Sequence, residues 1–303
     1  MAYRRITLAA LALLGIIVVT GAAVRLTGSG LGCSTWPSCE PGTLVPHEES
    51  GVHGIIESTN RYFTGLVSVG VALAVAGSFF RVPRRRDLTL WSWTLVAGVI
   101  GQVVLGGLTV LFELSPPFVM GHFLLSALLV ACAVVLHHKA GEPDEGERRP
   151  VATPEVRLLA KVLVAATAVV LVTGTIVTGA GPHGGDPDVE RLDILVPDAV
   201  RIHSAAVWIL LGATLWTTHL VHRGGASPVV ERALRTLVAV EVLQGAIGYV
   251  QYFSGVPAGL VAAHILGSML VLGAALAVLL RTTVVEQSPA RPARRDEPMT
   301  TGA

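Results

Sequence analysis

Two glutamine–histidine pairs stand at the same spacing in this chain: Gln102 is followed twenty residues later by His122, and Gln244 by His264. Each histidine opens a matching phrase, His122-Phe-Leu-Leu-Ser126 and His264-Ile-Leu-Gly-Ser268. A similar shift sets His203, in the second half, opposite Asn60 in the first. Four equivalent positions thus hold three histidines and one asparagine. Imidazole is a common axial ligand to haem iron, and an ionisable residue at membrane depth is a functional candidate by default. His203 and His264 suit bis-histidine ligation of one haem; the competing reading is a pair of ordinary core histidines. In the first half only His122 holds its place, because Asn60 hydrogen-bonds well but is a poor iron ligand. His53 and His47 lie in or near the preceding loop and could substitute only if it folds inward. One histidine with a weak or open second position suits a substrate that must enter and leave.

Glu57 lies three residues before Asn60, on the same helical face, and points toward this first-half site. Its second-half counterpart is Val200, so the acid belongs to one half alone. A buried carboxylate is suited to proton transfer, although Glu57 can also pair with Arg61 at i+4. Glu113 and Glu241 are weaker candidates. Cys33 and Cys39 flank Ser-Thr-Trp-Pro-Ser in one short loop and read as a disulfide, either shaping a lid or reduced and reformed during function. Cys132 reads as a small buried residue. Arg25, Arg61 and Arg201 either pair haem propionates or reach out to the membrane interface. His137, His138, His219 and His222 sit among basic residues at helix ends and read as interfacial; His183 reads as a turn residue.

The elements that position these residues follow from composition. The 303 residues are 52% hydrophobic and 14% charged, whereas soluble domains carry roughly a quarter charged residues. The chain is therefore an integral membrane protein of the all-α class, since each span must satisfy its own backbone. Eight stretches reach the length of about 20 apolar residues that a bilayer requires: near 6–24, 56–80, 89–111, 118–138, 156–178, 199–220, 232–252 and 257–280. Lys and Arg cluster at the N-terminus, in alternate loops and in the tail, which predicts both termini in the cytoplasm. Val19-Thr20-Gly21 matches Val172-Thr173-Gly174, and Thr27-Gly28-Ser29-Gly30 matches Thr178-Gly179-Ala180-Gly181. Helices 1–4 and 5–8 are thus a repeat, and four helices per half make it a parallel one. The expectation is two pseudo-twofold-related four-helix bundles: 1–138 with the substrate site, a polar cytoplasmic linker at 139–155, and 156–283 with the permanent haem. A disordered tail follows at 284–303.

The ordered set Thr27-Gly28-Ser29-Gly30-Leu31, the Cys33/Cys39 loop with Trp36-Pro37, Glu57, Asn60-Arg61, Gly121-His122, Gly181-Pro182-His183, His203 and His264 resembles the haem A synthase family. The resemblance spans about residues 6–280. It implies haem b, and so iron, held by His203 and His264. It further implies that the first half binds haem O, at His122, Asn60 and Arg61, and oxidises its C8 methyl to a formyl group. The product, haem A, would serve cytochrome oxidase. Glu57 would be the essential carboxylate and Cys33/Cys39 the outer-loop cysteine pair. Asn60 departs from the pattern, since many members place a second histidine there. The partners implied are haem O, a haem O synthase, plasma-membrane lipid and a second copy of the chain, with no nucleic acid. The alternative is a di-haem b-type electron carrier, which would need similar ligands in both halves.

Overall fold

A computed structural model of the chain describes residues 2–33, 35–39, 51–224 and 227–286. Eight helices, each long and apolar enough to cross a membrane, account for most of it. They are α1 (Ala2–Leu26), α2 (Gly51–Phe80), α3 (Arg86–Leu111), α4 (Pro116–Ala140), α5 (Pro154–Ala180), α6 (Val196–Gly224), α7 (Pro228–Phe253) and α8 (Ala258–Leu280). At about 1.5 Å per residue, the shortest, with 23 residues, still exceeds a hydrocarbon core of about 30 Å. Most observed helices run a few residues past the apolar stretches, because polar residues form their ends. Proline opens α4, α5 and α7, where its missing N–H removes no bond. The Thr153 hydroxyl caps α5 by accepting from the Val156 N–H at 3.3 Å. Leu90, Ile100, Ile209 and Leu243 are exposed on the outside of the helices, as a lipid-facing surface requires.

Within the first half α1 packs on α2 and α4, and α3 on α2 and α4, closing a ring. Within the second, α5 packs on α6 and α8, and α7 on α6 and α8. Between the halves α1 meets α8, α4 meets α5, and α4 meets α8. Exchanging α1–α4 for α5–α8 leaves this set of neighbours unchanged. One buried core is built mainly from the first half, with Leu171, Met269, Leu272 and Leu276 joining from the second. The other lies wholly in the second half.

The linker is structured. Strand β1 (Glu147–Pro150) pairs antiparallel with β2 (Thr283–Glu286), and the Val151 N–H donates to Thr282 O at 2.9 Å. Residues 284–286, expected at the start of a disordered tail, are therefore a strand. Their Thr-Val-Val-Glu pattern is β-prone, and the polar linker supplies an edge to pair with. Residues 287–303 lie outside the described residues. Arg85 and Lys139 both bond Asp87, at 2.8 and 3.4 Å, and Arg81 pairs with Asp144. The hydrogen bond from Arg85 to Asp87 pushes the arginine's pKa up from its ordinary value. These contacts tie the α2–α3 loop to the linker. At the opposite end the Gly30 N–H donates to Gly185 O at 2.8 Å, joining the loops after α1 and α5.

Candidate functional site

His203 projects from α6 and His264 from α8, with ring centroids 6.4 Å apart and planes at 76°. Two metal–nitrogen bonds of about 2 Å each, extended to the ring centres, separate two opposed imidazoles by about 6 Å. The observed spacing therefore fits one metal ion between them. No group of three or more His, Cys, Asp or Glu side chains among the described residues could hold a bare metal ion. Two histidines at this separation, with no third such donor among the described residues, would suit a haem iron. Both rings line a cavity of about 300 Å³.

Glycines make room for the rings. A Cβ on Gly174 of α5 would stand 3.2 Å from His203 Cε1, and one on Gly248 of α7 would stand 3.0 Å from His264 Cε1. Thr173 favours one tautomer of His203. Its hydroxyl hydrogen has backbone acceptors in Val169 O and Val170 O, at 3.0 and 3.1 Å. It therefore accepts from His203 Nδ1–H at 3.1 Å, which leaves the Nε2 lone pair for a metal. The Gln244 amide donates to His264 O at 2.7 Å, holding α7 on α8 beside the ligand. His264 Nδ1 is buried without a partner.

The first half repeats these parts with one exchange. His122 of α4 rests against Gly106 of α3, where a Cβ would stand 3.2 Å from its Cε1. The Gln102 amide donates to His122 O at 3.1 Å, as Gln244 does to His264. Thr20, the counterpart of Thr173, donates to Asn60 Oδ1 at 2.8 Å. Glu57, Asn60, Arg61, His122, Trp36 and Pro37 all line a second cavity, of about 440 Å³. Sequence reasoning named neither threonine as a contact, although the repeated Val-Thr-Gly triplet was the available signal.

Glu57 is buried, with 5% of its surface exposed, and both oxygens are engaged. Oε1 accepts from Arg61 Nε at 3.1 Å, and Oε2 from the Cys33 N–H at 2.7 Å. Arg61 also donates to Thr35 O at 3.0 Å and Ser38 O at 3.2 Å. The pair thus fastens the loop closed by the Cys33–Cys39 disulfide over the cavity. The Trp36 ring in that loop fills the space that a Cβ on Gly107 would occupy, 2.7 Å from it.

Other candidates sort by geometry. His53 bonds Ser29 Oγ at 2.9 Å and does not line the cavity, while His47 lies outside the described residues. His183 sits at positive φ (63°) and bonds Val256 O at 2.8 Å, a turn position at the edge of the C-terminal cavity. Glu113 is exposed at the end of α3. Glu241 is buried on the C-terminal cavity, with Oε1 accepting from Thr214 at 2.9 Å and Oε2 unpartnered. Arg201 pairs with Asp198 at 2.7 Å on the surface.

Comparison with known proteins places the chain in a family. Residues 4–182 match the COX15-CtaA family model, described as cytochrome oxidase assembly protein. The chain belongs to this family. Among curated relatives, a protein of Alkalihalophilus pseudofirmus named heme A synthase is 33% identical over 122 residues, 40% of each chain. One of that name from Listeria welshimeri is 28% identical over 218 residues, 69% of this chain and 71% of the relative. Another, from Listeria monocytogenes serotype 4a, is 26% identical over 260 residues, 82% of this chain and 85% of the relative. The alignments to the first and second thus span two fifths and about seven tenths of the relatives' own lengths.

Proposed function

We propose that the protein is a haem A synthase, oxidising the C8 methyl of haem O to a formyl group. One observation carries this reading above all. One cavity is lined by two histidines at iron-ligating separation, while its counterpart has, among the described residues, one histidine, with Asn60 in the place of the second. Unequal sites suit a fixed cofactor and an exchanging substrate. They fit poorly a carrier with two permanent haems.

In this reading His203 and His264 hold haem b, which supplies one-electron redox chemistry when bound. Thr173 keeps His203 in the ligating tautomer, and Gln244 holds the helix of the second ligand. Haem O occupies the N-terminal cavity with His122 on one side, and Asn60 leaves the other side weakly held. Conversion of a methyl to a formyl group removes four electrons and adds one oxygen, so protons must leave the carbon. Glu57 is the carboxylate at the cavity wall able to accept them, and Arg61 orients it. The disulfide loop with Trp36 covers the site. The basic loops and both termini face the cytoplasm of a cell whose plasma membrane holds the protein, and a haem O synthase is the fitting donor.

Reconstitution of purified protein with haem O, followed by pigment extraction, tests the proposal. Hydroxylated or formyl haem in the extract supports it. Retention of haem b with haem O recovered unchanged would leave the electron-carrier reading in its place.

A further inference from the structure

Arginines considered from sequence as possible carboxylate partners separate sharply in the fold. Arg61 is committed to Glu57 and two loop carbonyls, and Arg201 to Asp198 at the surface. Arg25 has no side-chain hydrogen bond or ion pair among the described residues. It ends α1 and lines both cavities. Its Nε is buried with no hydrogen-bond partner, and its side chain has no ion pair among the described residues. The charge that acts on it is Arg191, of the same sign.

Arg191 comes from the loop between α5 and α6 and lines the C-terminal cavity. That loop also carries Asp186, Asp188, Glu190 and Asp193, yet none of them makes an ion pair with either arginine. The backbone holds Arg191 in place, since the Leu192 N–H donates to Gly179 O at 3.0 Å. The guanidinium lies over Gly184, where a Cβ would overlap it, and the Arg25 Cγ stands 3.4 Å from the Cβ position of Gly185. Gly185 itself adopts φ 107°, which a side chain would resist. Two guanidinium groups, always charged, are thus kept together at the seam of the halves without a carboxylate. Such an arrangement is unfavourable until an anion arrives, and a planar guanidinium binds a carboxylate through two parallel bonds.

We propose that Arg25 and Arg191 form a carboxylate-binding site for the ionised side arms of bound tetrapyrroles, with Arg25 shared between the two cavities. The proposal rests on the haem reading above and adds a link between the sites. Arg191 serves the C-terminal cavity alone, whereas Arg25 bears on the occupants of both. An anionic lipid headgroup offers similar chemistry, but the arginines face the cavities.

The test titrates haem-free protein in detergent with protohaem and with its dimethyl ester, whose carboxylates are masked. Wild type should bind the free acid about tenfold or more tighter than the ester, one tenfold step in affinity. Arg25→Gln/Arg191→Gln should erase that preference while keeping ester affinity and the bis-histidine spectrum, which also reports an intact fold. With the C-terminal site filled, Arg25→Gln alone should weaken uptake of a second haem, and Arg191→Gln alone should not. Equal binding of acid and ester by wild type overturns the site although the haem reading stands. Equal weakening of both ligands in the variants overturns it too, as does loss of copurified anionic phospholipid with the acid preference kept. Equal single-variant effects on the second haem overturn the shared role of Arg25. Absence of a bis-histidine spectrum with either ligand removes the haem reading, and this proposal with it.

Discussion

Thr173 decides which nitrogen of His203 faces the cavity. With its hydroxyl hydrogen directed to a helix carbonyl, its oxygen can accept from the ring. Thr173→Val keeps the shape and removes the acceptor. Haem affinity in a spectral titration should fall about 10- to 100-fold, the usual cost of losing such a partner; an unchanged affinity would sink the tautomer argument. Glu57 presents a different problem, because it both lines the cavity and anchors the disulfide loop. Glu57→Gln keeps a side-chain oxygen to accept from the Cys33 N–H but cannot take a proton as a carboxylate does. It should retain haem b, melt above the alanine variant and form no formyl product. Glu57→Ala removes both the partner of the half-buried Arg61 and the acceptor of the Cys33 N–H, and should lower the melting temperature. Equal melting of the two variants would mean that the bond from the Cys33 N–H to residue 57 does not hold the loop.

Each ring is backed by a glycine on the preceding helix: Gly106 for His122, Gly174 for His203, Gly248 for His264. Helix pairing and ligand placement are therefore one problem, since closer side chains would push the ligand helix away. Gly248→Val should release haem b, whereas Gly65→Val, at a position with nothing within 4 Å, should keep it; pyridine haemochrome content compares them. In the α1–α2 pair Thr20 meets Asn60 as Thr173 meets His203. Asn60→His should therefore find its hydrogen-bond partner already in place. The variant is expected to hold a second haem through purification, raising the stoichiometry toward two per chain, with slower product release. A stoichiometry still at one would show that the N-terminal cavity cannot place a ligand from α2.

At the scale of the molecule, the two cavities share a wall formed by Arg25, Leu114, Val119, Phe123, Gly184 and Ile265. The neighbour pattern of the helices brings α4 and α8, which carry His122 and His264, together between the halves. The antiparallel β1–β2 clip joins the linker to the chain's end, on the side of the ion network around Arg85. An impermeant thiol reagent on right-side-out vesicles should therefore miss single cysteines placed at Arg84, Arg148 and Glu286 and label one at Asp188. Labelling of Arg148→Cys and Asp188→Cys alike would contradict the proposed topology.

Eight spans were legible from the sequence because a membrane leaves few choices: a long apolar run must be a helix, and its length is set by the bilayer. The placement of His203 and His264 in one half, and of Glu57, Asn60, Arg61 and His122 in the other, was readable from the repeat. Other features needed the fold. That Glu57 pairs with Arg61 while lining the cavity could not be chosen from spacing, since i+3 and i+4 neighbours share a helical face. The distance between the two rings depends on how α6 and α8 lean across the bundle, which no local pattern encodes. Nor does any local pattern encode Arg25 lining both cavities with no ion-pair partner among the described residues. The sequence determined which side chains enter the membrane and at what depth. Only the tertiary structure decided which of them meet, because those contacts join residues on different helices and loops.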